Sequence, residues 1–389
     1  MHRRIRYLGT FVPHQLSPEV KELYSSTILM NFGLAMVQMF EPIYLYSIGY
    51  SLPEIMLFFL AVYGMYFLLI PLGAKFAGRF GTERSIELST IFISLLYVCL
   101  FAIQYNHQLF YLAAALYALQ KMFYWPAFHA DFAQHASSIE RAREVSSLTV
   151  ATSLVFILGP ILAGYLISIG GYGWLFIIVA LIFLLSNLPL MSTDEQFVPF
   201  SFPYWRTYVE LFSTNLWRFK VAYLGYAEEY VVMVVWPIFI ATVVKDDFQI
   251  GLVIGLMVLV STVVTLIAGK FADKHRDHRP ILRLGSLLYS MTWILRTVIS
   301  TVGGVFTAGS LSWLLKNIIS VALTSSSYAS AKRRNVMKTV VEFELSLVVG
   351  KLAMIVILLG VFSLVPDLHQ GFNWAFVAAA VTSLLYMML

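Results

Sequence analysis

Charged residues are scarce in this chain, and their scarcity argues against a water-soluble protein. Asp, Glu, Lys and Arg make up 12% of the 389 residues, hydrophobic residues make up 59%, and the mean hydropathy is +0.79. A soluble domain usually carries about a quarter charged residues. Water would not tolerate so much apolar surface, so the composition indicates a chain that folds in lipid.

Other absences narrow the function classes further. Cys99 is the single cysteine, so no intramolecular disulfide can form. No Gly-x-x-x-x-Gly-Lys-Ser/Thr loop occurs, which argues against ATP-driven transport. The eight histidines form no metal-ligand cluster, and we expect no metal or other cofactor, no enzymatic activity and no nucleic-acid partner. The N-terminal segment has no apolar core before a small-residue cleavage site, which predicts no cleaved signal peptide.

Twelve apolar runs remain, and each is long enough to cross a bilayer. A spanning helix needs roughly 20 mostly apolar residues, and twelve of them with short loops fit this chain length. The runs lie near residues 24–47, 54–75, 86–104, 109–132, 145–169, 173–191, 219–243, 250–271, 281–301, 304–328, 339–364 and 372–389.

The longest polar interval divides these runs into two sets of six. The sequence therefore predicts an all-α multi-pass membrane protein whose twelve transmembrane helices form two pseudo-symmetric six-helix bundles. Its predicted parts are a cytoplasmic N-terminal segment (1–23), an N-terminal bundle (24–191), a cytoplasmic linker (192–218) and a C-terminal bundle (219–389). In the linker, Trp205, Tyr208 and Phe212 recur at helical spacing, which indicates a short helix lying in the membrane interface.

The positions of Lys and Arg predict the orientation of the chain. With a cytoplasmic N-terminus, the inner loops and flanks hold 21 of the 26 basic residues, and the outer loops hold one, Lys245. This alternation follows the positive-inside rule and predicts a protein of the plasma or inner membrane. Four basic residues fall within the predicted spans: Lys121, Arg296, Lys316 and Lys351.

An internal repeat appears when the sequence is shifted by 195 residues. Lys75-Phe76-Ala77 then falls on Lys270-Phe271-Ala272, Pro42 falls on Pro237, and Lys121 falls on Lys316. Matches between proline and basic residues at one constant shift are harder to obtain by chance than matches between apolar residues. The shift indicates a parallel duplication whose two halves enclose a cavity at the middle of the membrane.

The loop after the eighth predicted helix carries a family resemblance. Residues 269–279 resemble the signature loop of the major facilitator superfamily, Gly-x-x-x-Asp-Arg/Lys followed by basic residues. Gly269, Asp273, Lys274 and Arg279 match the pattern, and Arg276 replaces its second glycine. In the equivalent loop of the first half, Arg79, Gly81 and Arg84 match, but Gly78 replaces the acidic residue.

The resemblance implies a secondary transporter that works by alternating access. Pro126, Asp131 and Arg141 along the fourth helix and its exit also look like the superfamily, as do Gly159-Pro160 and Gly164 in the fifth. By resemblance, the cytoplasmic loops lock the inner side shut in one state. The gating residues implied are Asp273, Lys274, Arg279, Arg79, Arg84 and Asp131. A simpler interpretation is that the basic residues only fix the membrane topology.

Two lysines stranded near mid-membrane are the main candidates for solute contact. A charged side chain there costs roughly 2.5 kcal/mol or more, so such residues are functional candidates by default. In the superfamily's fold, helices 1, 4, 7 and 10 line the central cavity, which implies that Lys121 and Lys316 face each other. Their mutual repulsion calls for an anion or for carboxylates between them.

Carboxylates at suitable positions predict proton coupling. Under the 195-residue shift Glu229 corresponds to Leu34, and Glu41 lies two helical turns from Leu34 on the same face. We therefore expect Glu41 and Glu229 to face one cavity, with Gln38 between them, and to bind and release protons. The alternative is that these lysines and glutamates form structural salt bridges between the halves.

The remaining candidates complete the expected site. Tyr117 and Tyr124 share the helix face of Lys121 and suit an organic solute, although packing between helices would also use them. We interpret Arg296, near the outer end of its helix, as a cation that reaches the membrane surface. Glu344 begins the eleventh helix, where a carboxylate suits the helix dipole.

The function expected from the sequence is movement of a small organic solute, anionic or zwitterionic, coupled to protons by a monomer in the bilayer. Proton-coupled efflux of cationic or lipophilic compounds is the nearer alternative, and it would use the glutamates for solute contact. A lipid scramblase and a transporter-like sensor that moves nothing are alternatives of another class.

Overall fold

The regular structure of this chain is helical wherever it is described. The computed structural model describes residues 18–135, 139–191, 199–213, 215–272 and 279–389. The helices are α1 (Pro18–Val37), α2 (Phe40–Ser47), α3 (Leu52–Phe80), α4 (Thr82–Ala102), α5 (Leu109–His135), α6 (Ile139–Leu185), α7 (Tyr204–Leu211), α8 (Trp217–Leu224), α9 (Ala227–Tyr230), α10 (Trp236–Val244), α11 (Asp247–Ala272), α12 (Arg279–Leu295), α13 (Val302–Lys332), α14 (Val336–Leu364) and α15 (Leu368–Ser383). A π-helical turn covers Val231–Val235, and 3₁₀ turns cover Arg296–Val298 and Leu384–Met388.

Nine helical stretches in the described residues are long and apolar enough to cross a membrane. One of them, Ala151–Leu185, covers the fifth and sixth predicted runs together. The two runs meet at Gly171, whose φ of 73° interrupts α6 with a backbone conformation that glycine adopts without strain. The helix α12 has 17 residues, one turn or so short of a typical span.

Polar side chains mark the starts of several long helices. Ser51 accepts a hydrogen bond from the backbone N–H of Glu54, and the Glu54 side chain in turn accepts one from the backbone N–H of Ser51, which forms a capping box before α3. Asn335 and Asp367 cap α14 and α15 with one hydrogen bond each, which their side chains accept from the backbone N–H groups of Lys338 and Gln370. These caps satisfy backbone donors that the end of a helix leaves free, so short loops suffice between the helices.

Helices of the first half pack against helices of the second half most extensively at two places. The first contact joins α6 to α11, and the second joins α3 to α14. In the first contact, a Cβ atom on Gly255 would lie 2.6 Å from the backbone oxygen of Ile157. Small residues thus let the two backbones approach closely, which is a common way to pack helices in membranes.

Two membrane-embedded stretches are irregular at equivalent positions. The helical path of α1 and α2 is interrupted by a turn at Gln38 and Met39. A shift of 195 residues brings this turn onto the π-helical segment that precedes α10. Pro42 and Pro237 follow the two interruptions at the same distance, and each removes a backbone donor from its helix. The irregularity of the backbone therefore repeats along with the sequence.

The linker contains the short amphipathic helix that its aromatic spacing predicts, α7. Its Trp205 and Val209 side chains are largely exposed, whereas Thr207 is buried. Glu210 accepts contacts of 2.9 Å from both Lys338 and Arg206. Burial raises the pKa of Glu210, but these two cations outweigh burial and leave the pKa below its ordinary value. The carboxylate is therefore ionised at neutral pH, and α7 stays attached to the start of α14.

Enlarging Gly255 tests the close contact between α6 and α11. We expect Gly255→Ala to destabilise the protein by about 1–3 kcal/mol, because the new methyl group must push a backbone carbonyl away. Gly360→Ala in α14 is the matched control, since nothing lies within 4 Å of a Cβ atom there. Thermal unfolding in detergent measures both variants. Equal melting temperatures for the two would contradict the packing described.

Candidate functional site

A cavity of about 440 Å³ lies between helices from both halves of the chain. Its walls come from α1, α3 and α5 of the first half, and from α9, the π-helical turn, α13 and α14 of the second. Aromatic side chains make up much of the wall, and charged groups are spread among them. The volume is that of a pocket for a small organic molecule.

Most of the side chains predicted to contact a solute line this cavity. The ones that do so are Lys121, Lys316, Tyr117, Tyr124, Gln38 and Glu229. Tyr117, Lys121 and Tyr124 are spaced by four and three residues on α5, which brings them to one face of the helix. The sequence therefore placed these residues correctly in space, whereas their role in transport stays a prediction.

Lys316 is held by partners from its own half of the chain. Its Nζ atom lies 2.5 Å from Oε1 of Glu228 and also donates to the hydroxyl of Tyr386 at 2.6 Å. The hydroxyl groups of Tyr386 and Tyr289 donate to the two oxygens of Glu228. Glu228 is completely buried, so this network supplies the countercharge and hydrogen bonds that a buried carboxylate needs.

Glu229 connects Lys316 to a third lysine. Its carboxylate lies 3.6 Å from the ammonium group of Lys316 and 2.9 Å from that of Lys351. Lys351 lies on α14, where the sequence alone gave its role as undecided, and it lines the same cavity. Glu229 therefore joins α9 to both α13 and α14.

Lys121 has a different environment from Lys316, the residue at the equivalent position of the internal repeat. Its ammonium group lies 4.2 Å from the ring centre of Tyr117 and 5.2 Å from that of Tyr63. Within the described part of the chain, no carboxylate oxygen lies within 4 Å of this ammonium group. Attraction to aromatic faces offsets part of the cost of burying this charge.

Glu41 does not line the cavity, contrary to the expectation from the sequence. It is 2% exposed, and it accepts a hydrogen bond of 3.2 Å from the hydroxyl of Tyr97 on α4. The expectation assumed one continuous helix from Leu34 to Glu41. The turn at Gln38 and Met39 lies between Leu34, which lines the cavity, and Glu41, which does not.

Arg296 was interpreted wrongly from the sequence, and Glu344 lies further into its helix than expected, since α14 begins at Val336. Arg296 is 2% exposed and lines the cavity, so it does not reach the membrane surface. Glu344 is buried at the cavity wall. It accepts a hydrogen bond of 3.0 Å from Tyr66, and it lies 3.3 Å from His129. The sequence offered no signal for these contacts, which join residues far apart in the chain.

His129 extends the Glu344 contact to a fourth helix. Its Nδ1 atom lies 2.6 Å from the hydroxyl of Tyr328 on α13. Tyr66, His129, Tyr328 and Glu344 belong to α3, α5, α13 and α14, respectively. These four side chains therefore form a polar contact between the two halves, at the same wall of the cavity.

The implied gating residues are only partly described. Arg79 and Arg84 are exposed at the end of α3 and the start of α4, and Asp131 is buried on α5. Asp273 and Lys274 lie outside the described residues. Arg279 begins α12, but its side chain is outside the described part as well. The lock that the resemblance implies therefore stays a prediction.

Helices of this length and hydrophobicity around a charged cavity define a multi-pass membrane protein. The family model described as Major Facilitator Superfamily matches residues 23–196. This match supports membership of that superfamily, which implies a secondary transporter. No curated protein matches the chain.

The buried pair of Lys316 and Glu228 generates a prediction about stability. We expect Glu228→Gln and Lys316→Gln each to destabilise the protein by about 3 kcal/mol, because each leaves the buried charge of the other residue without its nearest counterion. The double variant should lose clearly less than the sum of the two. Thermal unfolding of the four proteins measures this coupling. Strictly additive losses would show that the two groups act independently.

A surface pair serves as the control. Arg206 and Glu210 form an ion pair in which the Arg206 side chain is 75% exposed. Solvent screens such pairs, so we expect Arg206→Gln to change the stability by less than about 1 kcal/mol.

Proposed function

We propose that this protein moves a small organic solute, anionic or zwitterionic, across the membrane by alternating access. The observation that carries the proposal is the Lys121 ammonium group, which faces the cavity against two tyrosine rings. No carboxylate described in this chain lies within ion-pair distance of it. A positive charge in an apolar enclosure attracts an anion strongly, because little water screens it.

The proposed architecture has twelve crossings in two six-helix bundles, residues 24–191 and 219–389. In this arrangement α1 and α2 form one crossing, and the parts of α6 on either side of Gly171 form two. The alternation of basic residues along the loops supports a cytoplasmic N-terminus in the plasma or inner membrane. The repeated helix interruption supports the duplication. We propose that one copy of the chain suffices for transport.

Glu229 is the residue that we propose for proton coupling. Its carboxylate holds the ammonium groups of Lys316 and Lys351, so an anionic solute has to compete with it. Protonation of Glu229 would release Lys351 for the solute, whereas Lys316 would keep Glu228 as its partner. Proton and anion would then bind together and move in the same direction. Glu41, buried beside Tyr97 with one oxygen unpartnered, is a second candidate for carrying a proton.

Gating is proposed at the cytoplasmic ends of the helices. Asp273, Lys274 and Arg279 would form the lock of the second half, and Arg79, Arg84 and Asp131 would face it from the first. The contact of His129 and Tyr66 with Glu344 would break when the halves separate. Hydrogen bonds to charged groups contribute a few kcal/mol at most, so such a contact can form and break within a transport cycle.

Efflux of a cationic compound fits the charges less well. That alternative needs Glu229 free to bind the solute, but two lysines occupy this carboxylate. A scramblase and a sensor have no specific contact in their favour.

Replacement of Lys121 tests the solute class. Solutes that stabilise the purified protein would be selected by thermal unfolding and then assayed for uptake into proteoliposomes. We expect Lys121→Gln to reduce uptake of an anionic solute at least about tenfold, the effect of losing one charged hydrogen bond. Lys245→Gln, at an exposed loop position, is the matched control and should transport normally. Undiminished uptake by Lys121→Gln would contradict the proposal, and transport of cationic compounds alone would favour efflux.

Replacement of Glu229 tests the coupling separately. An inwardly directed proton gradient should drive accumulation by the unmodified protein, because protonation of Glu229 favours anion binding. Glu229→Gln should exchange solute across the membrane but should not accumulate it in response to the gradient. Accumulation by this variant, or flux of the unmodified protein that ignores the gradient, would remove Glu229 from the coupling mechanism.

A further inference from the structure

Arg296 is a buried cation that rests on two tryptophan rings. The central carbon of its guanidinium group lies 3.7 Å from the ring centre of Trp293 and 4.1 Å from that of Trp236. Trp293 precedes it by three residues on α12, and Trp236 begins α10. The guanidinium group is planar and weakly hydrated, so it stacks well on aromatic faces. The two rings fix its position at the cavity wall.

Most N–H donors of this guanidinium group make no hydrogen bond to the described residues. Two of its three nitrogens, Nε and Nη1, are buried and have no hydrogen-bond partner in the described part of the chain. No carboxylate oxygen of the described residues lies within 4 Å of Arg296 either. Guanidinium N–H groups are among the strongest donors in proteins, and they are almost always paired when buried.

The carboxylates around the cavity are engaged elsewhere. Glu228 and Glu229 hold Lys316 and Lys351, and Glu344 contacts Tyr66 and His129. Arg296 and Lys121 are therefore left as cations without a countercharge from the described residues. Both line the same cavity, and an unpaired buried charge persists in a fold only at a cost in stability. Proteins typically retain such a loss of stability at sites that bind a ligand.

We propose that Arg296 binds an oxyanion of the transported solute, a carboxylate or a phosphate, through its free N–H groups. Guanidinium donors match both groups in two-point geometry. Trp236 and Tyr289 line the cavity beside Arg296, so the body of the solute is apolar and preferably aromatic. The inference rests on the proposed function and adds to it an oxyanion subsite at the 3₁₀ turn that follows α12, apart from Lys121 on α5.

Calorimetric titration of the purified protein tests this subsite with defined probes. The anionic probes are benzoate, indole-3-acetate and phenyl phosphate, and benzamide and indole-3-acetamide are their neutral counterparts. We expect the unmodified protein to bind at least one anion and neither amide. Arg296→Met should weaken the binding of that anion about tenfold or more, the loss expected for hydrogen bonds to a charged group. Comparison of the carboxylates with phenyl phosphate tells which oxyanion the subsite prefers.

Arg283→Met is the matched control, because Arg283 lies on α12, which precedes this turn, and is exposed. It should bind the anions normally. The melting temperature without ligand gives a second readout. Methionine fills a similar space without burying a charge, so Arg296→Met should melt at the same temperature as the unmodified protein or above it. A variant that melts much lower and still binds the anion normally would show that Arg296 is structural, which overturns the proposal.

The two proposals fail in different ways. If Lys121→Gln abolishes anion binding and Arg296→Met leaves it unchanged, the subsite is overturned and the function proposed above stands. If none of the anions binds the unmodified protein, or if the amides bind equally well, the subsite and the anionic solute class are both overturned.

Discussion

The cost of placing charge in an apolar interior determines the arrangement of this protein's centre. A buried cation near the cavity needs a contact with an anion or with an electron-rich aromatic ring, because lipid and apolar side chains do not stabilise its charge. Lys316 and Lys351 pair with carboxylates on α9, whereas among the described residues Lys121 and Arg296 contact aromatic rings and have no carboxylate within 4 Å. We propose that the first two charges hold helices together and that the other two are left for a solute.

Lys316 and Lys351 are paired with carboxylates of the second half of the chain, and this affects how the internal repeat is interpreted. Lys121 and Lys316 occupy equivalent positions, but α9 supplies Glu228 and Glu229 to Lys316, and the equivalent part of α1 has Gly33 and Leu34. In the proposed duplication, the two lysines are therefore equivalent and their partners are not. Carboxylates of the second half neutralise Lys316, and the first half contributes an ammonium group that lies against tyrosine rings.

The sequence predicted the helices and most of the cavity, because both follow from local patterns. Apolar runs define helices, and helical spacing puts Tyr117, Lys121 and Tyr124 on one face. The position of Glu41 was not predicted in this way, because it packs against Tyr97 on α4 and helical spacing does not reveal such a contact. The role of Arg296 depends on Trp236, which lies 60 residues earlier in the chain. Sequence periodicity does not predict a contact between residues so far apart in the chain. The roles of residues whose contacts are all distant in sequence were therefore interpreted wrongly or left undecided.

A cation on an aromatic ring is well suited to a site that has to bind and release its solute. A cation–π contact contributes about 0.5–2 kcal/mol, which holds the side chain in place without satisfying it as fully as a carboxylate does. An incoming anion then gains much of its attraction to the charge, because it displaces no ion pair. The aromatic ring stays in contact with the cation after the solute leaves, so the charge in the empty site keeps one stabilising interaction. Passage through a membrane requires binding that is strong enough for the solute to enter the site and weak enough for it to leave. Lys351, whose partner is Glu229, would attract an anion only weakly until a proton neutralised that carboxylate. The proposed site therefore combines an attraction that is always present, at Lys121, with one that depends on protonation, at Lys351.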